Sequence, residues 1–128
     1  MERMRWIKEE REVDRLFQAD FAILYKHSAT CGVCRAALRE VETFLGRHPD
    51  ADVYAVDVLG QRVLSQRIAA RAGIKHESPQ IIIFQGGRAL WSDSHYGITA
   101  EVLAKQFKSG RRQEGSDRAA SRERSKAP

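Results

Sequence analysis

The 128-residue chain predicts an α/β fold: a mixed four-stranded sheet flanked by helices, built as a βαβ unit followed by a β-hairpin and a closing helix. Three observations carry that expectation. Short apolar runs of strand length alternate with longer segments whose apolar residues recur at helical spacing. The pair Gly86-Gly87 separates two apolar runs, as a two-residue hairpin turn does. The first two strand-like runs are separated by a helical segment, which favours parallel pairing, and the last two only by a turn, which favours antiparallel pairing.

Each element has its own signal. Residues 5–18 read as a helix, because Trp6, Val13, Leu16 and Phe17 share one face. Phe21 to Tyr25 is an apolar run of buried-strand character. Residues 33–45 repeat Ala37, Val41, Phe44 and Leu45 at helical spacing, with Gly46 at the C-cap position and Pro49 beyond. Val53 to Val58 is the second strand, and residues 61–72 form a helix closed by Gly73. Ile81 to Phe84 is a strand directly after Ser78-Pro79, and Ala89 to Trp91 is its hairpin partner. Thr99 is placed to cap a final helix containing Val102, Leu103 and Phe107.

The composition, 42% hydrophobic, suits one domain with a core of its own, so the fold does not depend on disulfide staples. The domain is expected to span residues 1–108, and 109–128 to be a basic, disordered tail. The net charge of +5 is concentrated there. Residues 108–128 hold seven basic and three acidic side chains, a balance of +4, which leaves +1 for residues 1–107. Nucleic acid is not an expected partner, since no aromatic residue is interleaved in the tail to stack on bases; weak polyanion contact is left to the tail. No apolar run has signal-peptide or membrane-spanning length, so no membrane association is expected and the location is read as cytoplasmic. A reducing compartment keeps paired thiols available for cycling.

Cys31-Gly32-Val33-Cys34 holds both cysteines of the chain. It lies between an apolar strand and a helix. If that helix begins at Cys31, the sulfur stands over unpaired N–H groups of the first turn, and the positive end of the helix dipole favours the thiolate. Cys34 is one turn along on the same side. Cys31 is therefore the candidate nucleophile and Cys34 the candidate resolving thiol. Lys26, His27 and Arg35 are near in sequence and are expected to add positive potential, and Thr30 belongs to the supporting loop. The alternative is a binding module, in which Cys31 and Cys34 act in a non-catalytic adaptor or, with His27, ligate a metal or iron–sulfur group. The redox reading needs no metal or organic cofactor. Pro79 is either an ordinary proline before a strand or a cis residue that turns the backbone of Ser78 toward an extended thiol substrate. His95 and Tyr96 lie in the loop after the hairpin, where they either line the thiol site or are solvated.

Three motifs in order carry a resemblance: Tyr25-Lys26-His27-Ser28 shortly before Cys31, His76-Glu77-Ser78-Pro79-Gln80, and the stretch Trp91 to Thr99. Together they span about residues 5–107. The chain resembles the thioredoxin superfamily and, within it, the bacillithiol-system thioredoxin-like proteins (YtxJ-like, monothiol bacilliredoxins). The resemblance implies a thioredoxin-like fold, Pro79 as a cis-proline, Cys31 as nucleophile, and substrate binding by Ser78, Pro79, His95 and Gly97. It further implies oxidised or S-thiolated proteins as partners and a low-molecular-weight thiol such as bacillithiol as co-substrate. The chain departs from the monothiol pattern in carrying Cys34, which makes an internal disulfide available. It departs from thioredoxins in the Gly-Val centre, in Thr30 where they carry tryptophan, and in Tyr25 where they carry a buried acid.

Overall fold

The computed structural model describes residues 4–111. The expected α/β class holds, with one more strand than expected. The elements in order are β1 (Met4–Trp6), α1 (Glu10–Gln18), β2 (Phe21–His27), α2 (Gly32–Arg47), β3 (Val53–Asp57), α3 (Arg62–Ala72), β4 (Gln80–Gln85) and β5 (Arg88–Ser94). A 3-10 turn over His95–Gly97 and helix α4 over residues 100–111 follow. The sheet order is β1-β3-β2-β4-β5. β1, β3 and β2 run parallel, and β4 and β5 are antiparallel to their neighbours.

Alternation along β2 divides the molecule into two layers. Ile23 and Tyr25 point into one core with Ala37, Val41 and Phe44 of α2 and Leu103 and Phe107 of α4. Ala22 and Leu24 point into the other, with Val13 and Leu16 of α1 and Leu64 and Ile68 of α3. Ile81 and Ile83 of β4 join the first core and Ile82 and Phe84 the second. The interior of β4, Ile81 to Phe84, is therefore apolar at every position because it is covered on both faces.

Four local expectations need correction. Residues 5–18 are not one helix: Met4, Arg5 and Trp6 pair with Val53, Tyr54 and Ala55 as β1, and the helix starts only at Glu10, where the Glu12 carboxylate accepts the Glu9 N–H at 3.1 Å. Gly46 does not cap α2. The helix runs one residue further and ends at His48 (φ −130°, ψ 82°), because a residue preceding proline is excluded from helical geometry. β2 extends past Tyr25 to His27. The expected tail 109–128 is still helical at residues 109–111, and 112–128, with any polyanion contact, lie outside the described residues.

The remaining local signals hold. Gly73 closes α3 at φ 68°. Gly86 and Gly87 both have positive φ, the form a two-residue hairpin requires. At Gly87 a Cβ would stand 2.6 Å from the Phe17 carbonyl oxygen, so glycine is needed there twice over. Thr99 Oγ1 accepts the Val102 N–H at 3.1 Å, and the Glu40 side chain of α2 accepts the Ala100 N–H at 2.8 Å, fixing the start of α4 against α2.

Candidate active site

β2 delivers the chain to one end of the sheet, where Ser28–Thr30 turns into α2. The turn is held by the Cys31 N–H on the Ser28 carbonyl (3.3 Å) and by a hydrogen bond between the Ser28 and Thr30 hydroxyls (3.2 Å). Cys31 is the N-cap of α2 with extended backbone (φ −111°, ψ 124°), and its side chain is partly exposed. The first-turn amides have no partner within the helix, and the Cys31 sulfur stands at that open end without closing a capping hydrogen bond to them. Its titration is lowered from the ordinary thiol range, chiefly by the Cys34 N–H, then by the Cys34 side chain, with the Val33 N–H adding to both. Both cysteines are free thiols.

Cys34 is fully buried. Its thiol is pushed up, first because burial penalises the thiolate. The Ser78 hydroxyl, 3.6 Å from its sulfur, and the Ser28 backbone work in the opposite direction. The two sulfurs thus differ in kind: an accessible one that ionises readily and a buried one that holds its proton.

The Ser78–Pro79 peptide bond is cis. The segment before β4 is held by the Gln80 side chain, which donates to the Lys75 carbonyl at 3.0 Å and accepts the Glu77 N–H at 3.4 Å. The 3-10 turn is tied to the same segment, since the His95 N–H donates to the Pro79 carbonyl at 3.1 Å and the His95 ring lies 3.9 Å from the Glu77 carboxylate. Ser78, Pro79, His95 and Gly97 are therefore gathered at one edge. Ser78 turns its hydroxyl to Cys34, and the Asp93 carboxylate closes over Gly97, where a Cβ would stand 2.4 Å from it and force it to shift. Tyr96 is 77% exposed beside them.

Lys26 and His27 are not equivalent supports. His27 lies on the α2 side of the sheet, with Nδ1 2.8 Å from the Tyr25 hydroxyl. That hydroxyl donates to the Cys34 carbonyl at 3.0 Å, so the His27 Nδ1 is the donor to Tyr25. Burial raises the Tyr25 phenol and lowers the His27 imidazole. Lys26 points to the other face. It is fully buried, with Nζ 3.0 Å from His76 Nδ1, and burial lowers its titration to about 8. Arg35 is exposed on α2.

Three contributors are not evident from spacing: the Ser28 backbone, the Tyr25 hydroxyl and the Gln80 side chain. The one sequence signal for Gln80 is a polar residue opening an otherwise apolar strand. Among the described residues, no three His, Cys, Asp or Glu side chains are gathered to hold a metal ion, so His27, Cys31 and Cys34 do not form a ligand set. No helix of the described residues is long and apolar enough to cross a membrane.

Comparison with known proteins agrees with this geometry. Residues 5–103 match the family described as monothiol bacilliredoxin BrxC. Among solved structures, a protein assigned as an oxidoreductase with a thioredoxin fold is 29% identical, with a TM-score of 0.74 over 80% of this chain and 91% of that one. A mutant thioredoxin from Halobacterium salinarum NRC-1 is similar at 20% identity and a TM-score of 0.65, covering 83% of this chain and 88% of that chain. Thioredoxin from Trypanosoma brucei brucei is similar at 14% identity and 0.68, covering 83% and 88%. The last two speak for the fold alone.

Proposed function

The chain belongs to the monothiol bacilliredoxin BrxC family, and we propose that it removes a low-molecular-weight thiol of the bacillithiol kind from mixed disulfides on proteins, by thiol–disulfide exchange at Cys31. The observation that carries this reading is the partly exposed Cys31 side chain at the N-cap of α2, where the neighbouring Cys34 and Val33 amides lower the titration of its thiol. The Cys31 thiolate attacks the sulfur of the small thiol, a new S–S bond forms to Cys31, and the protein thiolate leaves. Two electrons pass to the released protein thiol, and Cys31 holds the adduct. A second molecule of the small thiol, as thiolate, attacks the adduct and regenerates Cys31, releasing a symmetric small-molecule disulfide.

Cys34 supplies a second exit. Its thiol, once deprotonated, attacks Cys31 from within the same turn and expels the small thiol, closing an internal disulfide. Burial holds Cys34 protonated, which favours a long-lived adduct on Cys31. The Ser78 hydroxyl lies 3.6 Å from the Cys34 sulfur. In this reading the protein is cytoplasmic, its partners are S-thiolated proteins, and no metal or organic cofactor takes part.

The test is mass spectrometry after exposure to oxidised bacillithiol. The wild type is expected to gain one small-thiol adduct or an internal disulfide, Cys34→Ser to gain only the adduct, and Cys31→Ser to gain neither. Adduct formation by Cys31→Ser at the wild-type rate would falsify the proposal.

A further inference from the structure

Beside the thiol, on the side away from Pro79, a cavity of about 360 Å³ opens at the carboxyl ends of the parallel strands, bounded by the loops that lead into α1 and α3. Trp6, His27 and Asp57 line it, and each is the last residue of its strand, β1, β2 and β3. These three strands are parallel, and ligand crevices of α/β sheets lie outside the carboxyl ends of such strands. Ile7, Lys8, Ala29 and Gln61 complete the wall. Ala29 is two residues from Cys31, so the cavity lies within about 7 Å of chain from the nucleophile.

The lining has the chemistry of a small zwitterion site. Lys8 supplies a cation and Asp57 an anion. One Asp57 oxygen accepts the Leu59 N–H at 3.1 Å, which fixes the carboxylate at the mouth of the loop. His27 Nδ1 is committed to Tyr25, which leaves Nε2 as the ring's acceptor. The Trp6 ring meets His27 edge to face, with centroids 6.1 Å apart, and gives one apolar wall. Gln61 contributes an amide that both donates and accepts.

We propose that this cavity holds the non-sulfur part of the low-molecular-weight thiol while its sulfur is bonded to Cys31, and that it selects thiols carrying both a carboxylate and a free amine. The inference rests on the exchange reading above and names the recognition element of the same site. The carboxylate pairs with Lys8, the amine pairs with Asp57, and Gln61 and His27 take the intervening polar groups. The edge formed by Ser78, Pro79, His95 and Gly97 is then left to the protein half of the mixed disulfide. The chemical step is attack of the Cys31 thiolate on a symmetric disulfide, with one S–S bond formed, one broken and one small thiolate released.

The experiment measures the rate of Cys31 adduct formation with two charged disulfides, bacillithiol disulfide and glutathione disulfide, and with uncharged bis(2-hydroxyethyl) disulfide. The readout is the ratio of charged to uncharged rate in the wild type, Lys8→Gln and Asp57→Asn. Asp57→Asn keeps an oxygen for the Leu59 N–H. The ratio is expected to fall about tenfold in both variants, the effect of losing one charge-assisted contact. A long-range field would move the two variants in opposite directions, since one loses a positive and the other a negative charge, and that outcome overturns the site. Ratios within about twofold of the wild type in both variants also overturn it. Whichever charged disulfide shows the larger fall identifies the thiol. A wild type that takes no adduct from any of the three disulfides overturns the exchange reading, and this inference with it.

Discussion

At the end of β2, neighbouring side chains part company. Tyr25 and His27 go to the α2 face and join one network with the Cys34 carbonyl. Lys26, between them, goes to the α1–α3 face and bonds His76, on the far side of the sheet from the thiols. All three stand within six residues of Cys31 in sequence. Closeness along the chain therefore does not deliver electrostatic support; the strand's two-residue alternation decides which group faces the sulfur. The thiolate is favoured by amides of its own helix turn, and the lysine is a buried amine whose burial weakens its proton.

The largest expected effect comes from the Lys26 face. Its ammonium titrates at about 8 when folded instead of the ordinary 10.5. Between these values the unfolded chain holds a proton that the folded chain has released, so stability rises with pH across that window and is reduced below it. Lys26→Met removes this dependence. The stability of the wild type relative to the variant is expected to grow by about 2 kcal/mol from about pH 7 to about pH 10, read by urea unfolding. Parallel pH curves for the two proteins would show that the burial of the ammonium is not felt.

On the other face, Tyr25→Phe leaves the Cys34 carbonyl and His27 Nδ1 without a shared partner. It is expected to cost about 1 kcal/mol. The Tyr25 phenol titrates above its ordinary value of 10.0, so its contribution is full below about pH 9 and shrinks as the unfolded chain ionises; this loss should therefore be constant up to about pH 9 and fall above it, opposite in sign to the Lys26 effect. A loss that grows with pH in the Lys26 manner would erase the distinction between the faces. Ser78→Ala is expected to be the smallest change in stability, under about 1 kcal/mol. Its signature is at the sulfur: without the hydroxyl, Cys34 titrates still higher, followed by thiolate ultraviolet absorbance in a Cys31→Ser background. A downward move would show that the 3.6 Å contact does not favour the thiolate.

The fold was legible wherever a signal was local and strong. Gly86-Gly87 and Gly73 take a backbone geometry that few other residues accept, Thr99 offers the side-chain oxygen a helix start needs, and each appears in its expected role. β1 was hidden for a physical reason. Three residues are too few to show alternation, and Trp6 falls in register with the α1 face, so helical periodicity absorbs it; parallel pairing with β3, more than forty residues away, makes it a strand. Gly46 misled because a proline three residues on was the stronger stop. At the site, the Cys31–Cys34 pair and the loop edge around Pro79 were legible, since each lies within one short motif. The tie from Tyr25 to the Cys34 carbonyl and from Ser78 to the Cys34 sulfur was not, because it joins residues nine and 44 positions apart.

Helix α4 has a practical corollary. It begins beside the middle of α2, where Glu40 holds the Ala100 amide, and continues away from the thiols through residue 111, a run of about 17 Å. By then Phe107 is stacked edge to face on Phe44, and the Arg111 guanidinium lies 5.0 Å above the Phe21 ring, at the start of β2. β2 is about 20 Å long and reaches the reactive turn only at its other end. A surface tether or fluorescent label joined at Arg111 would thus grip the molecule by its back, leaving the reactive mouth turned outward.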